Sequence, residues 1–361
     1  MSAVVDGRVA PGQEEELMRV ENVHIESLGV VLPAWASAEQ AVAEGKLDAE
    51  IQAANGLTGA HIAGDTPAMD MAVEAARIAL DRSKVDPEDL GAHIHSAVHY
   101  QAPEGAYPPG YVLRELGLGR LPALYLQQGC DGMLSALDVA IGKLTGAAGA
   151  GSVLLTTGEN FSSPTMDRWK GFGQAYILGD GAAAALISDE GGFAEVRSLN
   201  SGVLHELEKW HRGDGPLLLR EDTGSMADMA ERAQRFTERE MPLSETMEKL
   251  TLFDLEVIQR SLVDAGLNAS DLAKVVPINM DGRMIEYSIM LPLGLTMERS
   301  SWEFGRSVGH VGGADVFITL EHLVRTRQVG PGDHVLLVSQ GPGWLCSAAV
   351  VTVTDVPHWA E

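Results

Sequence analysis

An internal repeat limits the fold of this chain more than any other feature. Gly129-Cys130-Asp131-Gly132 is followed by an apolar helical pattern, a glycine turn and the run Val-Leu-Leu-Thr-Thr-Gly at 153–158. Gly309-His310-Val311-Gly312 is followed by a second helical pattern, the turn Gly330-Pro331-Gly332 and the run Val-Leu-Leu-Val-Ser-Gln-Gly at 335–341. Each copy closes on an alanine-rich strand, at 182–187 and 347–353. Cys130 lies 23 residues before Val153 and His310 lies 25 before Val335, which places both at equivalent helix starts. Two copies of one α/β unit of this size pack around a pseudo-twofold axis. The two helix starts then face each other, with a thiol opposite an imidazole.

The local setting of Cys130 supports a chemical role. It follows a strand-like run at 121–126. Met133, Leu134, Leu137, Val139, Ala140 and Ile141 then recur at helical spacing. A cysteine in the first turn of a helix meets unpaired backbone N–H groups and the positive end of the helix dipole, both of which favour thiolate. A buried cysteine without such a setting is a small hydrophobe, and Cys346, at the start of a core strand, is read that way. A facing histidine supplies the base that a nucleophile needs.

Composition excludes several classes. Of 361 residues, 45% are hydrophobic and 21% charged, as in an ordinary globular protein. Two cysteines make no disulfide framework and fit a reducing cytoplasm, the expected location. No apolar run is long enough to span a membrane, and no signal-peptide pattern is present. A net charge of −25 opposes non-specific binding to nucleic acid or to anionic membranes. His93, His95 and His99 alternate along one strand, but three imidazoles in line seldom close a coordination sphere, so no metal is expected.

Along the chain, residues 1–18 read as a loose leader. Two halves follow, 19–190 with Cys130 and 191–361 with His310, the second carrying a polar excursion near 200–250. Strands are expected at 23–32, 93–100, 121–126, 152–158, 181–187, 274–278, 335–339 and 347–353. Helices are expected at 36–45, 65–83, 108–116, after Cys130, at 245–265, 284–290 and 311–327.

The Cys130 segment, Gly179-Asp180-Gly181 before an alanine strand, Val276-Pro277, Gly309 at the last long helix and Pro331-Gly332-Asp333 together resemble the thiolase superfamily, and within it the ketosynthase III-like enzymes. The resemblance runs from about residue 20 to the end. It implies a five-layered αβαβα fold with two similar halves, a homodimer, and a cysteine that takes an acyl group from coenzyme A or an acyl carrier protein, with no permanently bound cofactor.

Two departures bear on function. The condensing members carry a histidine after the proline that here is Pro277, and an asparagine after the glycine that here is Gly309; these stabilise the enolate of a decarboxylating extender. This chain has Ile278 and His310 there. Asp315, five residues beyond His310, is placed to orient the imidazole, which gives a Cys130–His310–Asp315 triad. That set resembles ketosynthase III-like acyltransferases of antibiotic pathways, which pass an acyl group to a hydroxyl, such as that of a sugar, or to an amine. The other readings are a carbon–carbon condensing or starter-unit enzyme of a polyketide pathway and a non-catalytic acyl-binding subunit. The family's closing loop offers a backbone N–H to the oxyanion along with that of Cys130. Here the loop is Gly341-Pro342-Gly343, proline has no N–H, and Gly343 is the expected substitute. Arg168, Lys170, Lys209 and Arg212 are the candidate docking patch for an acidic carrier.

Overall fold

The computed structural model describes residues 19–146, 149–162, 167–171, 175–215, 217 and 229–360. The expected leader and part of the excursion lie outside these. In chain order the elements are β1 (His24–Val31), β2 (Ala34–Ser37), α1 (Ala38–Ala43), α2 (Ala49–Asn55), β3 (Gly59–Ile62), α3 (Ala68–Asp81), β4 (Ala92–Ser96), α4 (Pro108–Leu116), β5 (Ala123–Leu126), α5 (Gly132–Thr145), β6 (Ser152–Glu159) and β7 (Gly181–Ser188). There follow β8 (Ala194–Val203), α6 (Glu208–Arg212), α7 (Met229–Arg239), α8 (Leu243–Ala265), β9 (Leu272–Val276), α9 (Gly282–Ile285), α10 (Trp302–Val308), α11 (Asp315–Arg325), β10 (His334–Gly341) and β11 (Leu345–Val353).

The strands run in the order β5-β4-β6-β7-β1-β8-β11-β10-β9. The first five and the last four form two wings, joined where β1 meets β8 through His24–Glu195 and Ile25–Ala194. The wings repeat one plan: β4, β6, β7 and β1 correspond to β9, β10, β11 and β8, with α5 and α11 each entering the strand after it. The side-chain period of two explains the layering. Val335 and Leu337 of β10 point into the central cluster with α5 and α11, while Leu336 and Val338 point outward to α8. On β6, Val153 and Leu155 face the centre and Leu154 faces α3. A strand buried on both faces needs an unbroken apolar run, and these runs are what the sequence displays. The layers are therefore α3, the first wing, α5 with α11, the second wing, and α8.

The repeat is present, but its register differs from the one expected. A short 3-10 turn, Gly129–Asp131, precedes α5, and the matching turn before α11 is Gly312–Ala314. Gly129 and Gly312 share a left-handed backbone, with φ of 57° and 58°. The structural counterpart of Cys130 is thus Gly313, and His310 lies three residues earlier. The reason is steric: a Cβ on Gly313 would sit 3.0 Å from Met133 N and 3.2 Å from Gly132 N, because the two helix starts touch there. The imidazole has to come from the extended segment before the turn.

Other expectations shift at their edges. The first expected helix, 36–45, shortens to α1; α2 and the small two-stranded β2–β3 sheet that flanks the two helices were not foreseen. The expected strand 93–100 ends at Ser96, and 284–290 is a π turn after α9. β8 is a core strand of the second wing that was not foreseen, and its last residues, to Val203, enter the start of the region read as an excursion. No described helix is long and apolar enough to cross a membrane.

Candidate active site

Cys130 sits in the 3-10 turn that starts α5, largely buried among Val98, Phe161 and Leu178. Its carbonyl accepts the Ser339 hydroxyl at 2.8 Å, which ties the turn to β10. Gly129 lets the chain enter this turn, because a residue with a Cβ is strained at positive φ. A Cβ there would also lie 2.3 Å from Pro342 Cδ, so the closing loop rests directly on the cysteine turn. Gly129→Ala is expected to cost about 1–2 kcal/mol from the backbone and a further ~1–3 kcal/mol from the clash. An unchanged denaturation midpoint would contradict this geometry.

His310 lies on an extended segment held on both sides of its peptide. Its N–H donates to the Ile177 carbonyl at 2.7 Å, and its carbonyl accepts from Gly179 N at 2.9 Å. The ring is clamped with Nε2 2.9 Å from Cys130 Sγ and Nδ1 2.5 Å from Asp315 Oδ2. The Tyr176 ring stands 4.8 Å from it, centre to centre. Burial opposes a charge on His310, but the Cys130 sulfur, the Asp315 carboxylate and the hydrogen bonds to both outweigh it, so the imidazole pKa is raised well above its ordinary value. The structure therefore brings together Cys130, His310 and Asp315, from the starts of the two middle helices and across 185 residues of chain.

Asp315 is fully buried and heavily bonded. Besides His310, it accepts from Val311 N at 2.7 Å, Asn279 N at 2.8 Å and Asn279 Nδ2 at 3.1 Å. Asn279 also bonds the Gly309 carbonyl at 2.9 Å, so one amide fixes both ends of the His310 segment. Sequence reasoning missed Asn279. Its only local signal is its place after Pro277-Ile278, and its partners are 30 and 36 residues away. Ile278 is buried and apolar and donates nothing to the site.

Two expectations do not hold. Gly343 N–H is directed to His211 Nδ1 at 3.2 Å, so the amide expected to complete an oxyanion hole already has an acceptor. His211, stacked on Trp210 and Trp344, is held neutral, its pKa lowered by burial to about 4. The proposed basic patch is also absent as drawn. Arg168 is an internal residue, bonded to the buried Asp180 at 3.1 Å. Lys170 meets Asp167, Lys209 meets Glu240 and Asp214, and Arg212 meets Glu208. In a chain with this excess of acid, each of these four cations has a nearby carboxylate.

Two buried carboxyls flank the site. Glu159 takes an N–H from Val98 at 2.7 Å and one from Gln101, yet burial pushes its pKa up to about 8. Asp131, beside Cys130, bonds Ser135 and Ser347 at 2.6 and 2.8 Å, and burial raises it to about 7. The histidines at 93 and 95 both contact the Thr156 hydroxyl, at 2.9 and 2.8 Å, and burial keeps them neutral. Among the described residues no three side chains form a metal-binding group.

This geometry agrees with comparisons to known proteins. Residues 125–202 match the 3-oxoacyl-[acyl-carrier-protein (ACP)] synthase III family and residues 262–353 match its C-terminal part. A solved structure of ChlB3, described as an acyltransferase, superposes with a TM-score of 0.86 at 38% identity, covering 93% of this chain and 99% of that one. The chain belongs to the ketosynthase III-like family of the thiolase superfamily. Members similar to it include β-ketoacyl-[acyl-carrier-protein] synthase III of Rhizorhabdus wittichii, 27% identical over 82% of this chain and 88% of that protein. Another is β-ketoacyl-[acyl-carrier-protein] synthase III 3 of Streptomyces coelicolor, 28% identical over 84% and 89%. The fold extends to 3-oxoacyl-[acyl-carrier-protein] synthase III of Aquifex aeolicus, with a TM-score of 0.75 at 21% identity, covering 91% and 99%. This ketosynthase III-like family is enzymatic, its members acting as acyl transferases or synthases.

Proposed function

We propose that the protein is an acyltransferase that carries an acyl group on Cys130 from a coenzyme A or carrier-protein thioester to a hydroxyl or amine of a small molecule, in the manner of the ester-forming members of secondary metabolism. The observation that carries this reading is the continuous hydrogen-bonded line Cys130–His310–Asp315, with apolar Ile278 where a condensing enzyme places a histidine. In the first step the Cys130 sulfur attacks the thioester carbonyl, and the departing thiol leaves with the proton that His310 holds. The new acyl sulfur is uncharged. That removes the first of the influences raising the His310 pKa, while Asp315 remains. His310, now neutral, takes the proton of the incoming hydroxyl or amine as it attacks the acyl carbon, and the Cys130 sulfur departs beside the imidazolium. The Cys130 backbone N–H is left as the donor to the oxyanion, since Gly343 N–H bonds to His211.

Carbon–carbon condensation is the second reading, favoured by the names of the curated relatives. It needs a donor to the enolate oxygen, and Asn279, beside Ile278, already spends its amide on Asp315 and Gly309. The two readings separate by product. With an acyl-carrier thioester and a hydroxyl acceptor, mass spectrometry should find an ester and no carbon dioxide from a malonyl extender. A 3-oxoacyl product would establish condensation instead.

A further inference from the structure

A cavity beside the nucleophile carries a charge for which the acyl-transfer steps have no use. It has a volume of about 480 Å³, and Tyr176, Asp254, Met280, Met284, Tyr287 and Trp344 line it. Tyr176 forms the end nearest the chemistry, since its ring stacks near His310 and belongs to the apolar cluster around Cys130. Gln340, also in the lining, follows the serine that bonds the Cys130 carbonyl. A molecule in this cavity therefore has one end against Tyr176, the ring next to His310.

Asp254, from α8, is 1% exposed. Its Oδ1 accepts from Trp344 Nε1 at 2.9 Å and its Oδ2 from Gln340 Nε2 at 3.2 Å, with the Cys346 thiol as a third donor. All three donors are neutral. Among the described residues no Lys, Arg or His forms an ion pair with Asp254. The cavity's own cation, Arg283, is taken by Asp281 through contacts of 2.5 to 3.2 Å. Burial raises the Asp254 pKa to about 6 against those hydrogen bonds, which leaves a carboxylate at neutral pH. A buried charge without a counter-charge is costly, and a cation entering from the cavity would offset that cost. Tyr176, Tyr287 and Trp344 line the cavity beside this carboxylate, and aromatic rings with a carboxylate are the combination that holds an ammonium group. The net charge of −25 draws cations toward such a site and repels anions.

We infer that this cavity receives the ammonium group of a cationic acceptor, an amino alcohol or amino sugar whose hydroxyl is the group acylated. The inference rests on the acyltransferase reading. The donor thiol leaves before the acceptor reacts, so the two need not be held at the nucleophile at once. The ammonium is the anchor at Asp254 and keeps its proton. The acceptor hydroxyl gives its proton to His310, a carbon–oxygen bond forms at the acyl carbon, and the carbon–sulfur bond to Cys130 breaks.

Calorimetric binding of trans-4-aminocyclohexanol and trans-1,4-cyclohexanediol tests this, because the pair differ only in amine against hydroxyl. The amine is expected to bind about tenfold tighter, and Asp254→Asn should bring the two to within about twofold. The asparagine fits, since it can accept from Trp344 and donate to the buried Gln340 Oε1, which has no partner. Equal affinities for the unsubstituted protein overturn the inference whether or not the variant folds, and so does a preference that survives in a folded Asp254→Asn. Intact-mass measurement of Cys130 loading is made separately, without acceptor. Loading with no amine preference sinks the cavity assignment alone. Absence of loading by any thioester sinks the acyltransferase reading, and with it the acylation of the bound hydroxyl, while the ammonium preference is still decided by the calorimetry.

Discussion

Cys130→Ala is expected to abolish the acyl adduct completely. When the protein is incubated with a set of acyl-coenzyme A and acyl-carrier thioesters, its intact mass should rise by one acyl group for the preferred donor and by none for the alanine variant. No other described thiol can substitute: Cys346 is fully buried in β11, where burial and the neighbouring Asp254 raise its pKa well above the ordinary thiol value. The substitution removes a small, nearly buried group from a turn fixed by backbone contacts and by the Ser339 hydroxyl, so folding should be little affected. Equal labelling of parent and variant would show that the nucleophile lies elsewhere.

Asp315→Asn is expected to reduce kcat by about 10²–10⁴, the range seen when the orienting carboxylate of a nucleophile–histidine–acid set loses its charge. The carboxylate accepts four N–H groups at once. An amide of the same shape brings an NH2 against at least one of them, leaving a buried donor unpaired. The pH dependence distinguishes this from simple misfolding. Asp315 raises the His310 pKa, and the acceptor step needs His310 without its proton. Removing the carboxylate lowers that pKa, so the acidic limb of the rate profile should move to lower pH while the plateau falls. A variant with the parent's limb and a reduced plateau would leave Asp315 only a scaffold role.

The family could be read from the sequence, and Cys130 marked as the candidate nucleophile, because their signals are local: a glycine-flanked cysteine between a strand pattern and a helical one, and a second glycine-flanked segment with the same sequel. His310 was found for a reason that was only partly right. Its Gly-x-x-Gly frame looks like that of Cys130, yet the helix turns align Cys130 with Gly313, and only the contact between the two helix starts reveals the offset. Tyr176 and Asp254 gave no sequence signal, and Asn279 gave only its place after Pro277-Ile278. Each acquires its role through neighbours far along the chain, as Asn279 does at Asp315 and Asp254 does at Trp344, 90 residues on. The same holds for Gly343. Whether its N–H faces substrate or protein depends on His211, 132 residues before it.

The narrow join between the wings has a consequence for how such an enzyme can drift. Two residue pairs connect β1 to β8, whereas β8 and β11 are laddered along most of their length. Alignment of the sulfur with the imidazole is consequently set by side chains of the middle helices, Met133, Leu134 and Leu137 against Phe317 and its neighbours, together with the main-chain bonds that hold His310 to Ile177 and Gly179, and hardly at all by the β1–β8 join. Repacking beneath α3 or α8 spends stability without moving the reacting atoms. The same loss of volume between α5 and α11 alters the gap they must span. Lineages of this fold are therefore free to diversify their outer helices, while the middle layer acts as a gauge block whose thickness fixes whether Cys130 and His310 meet.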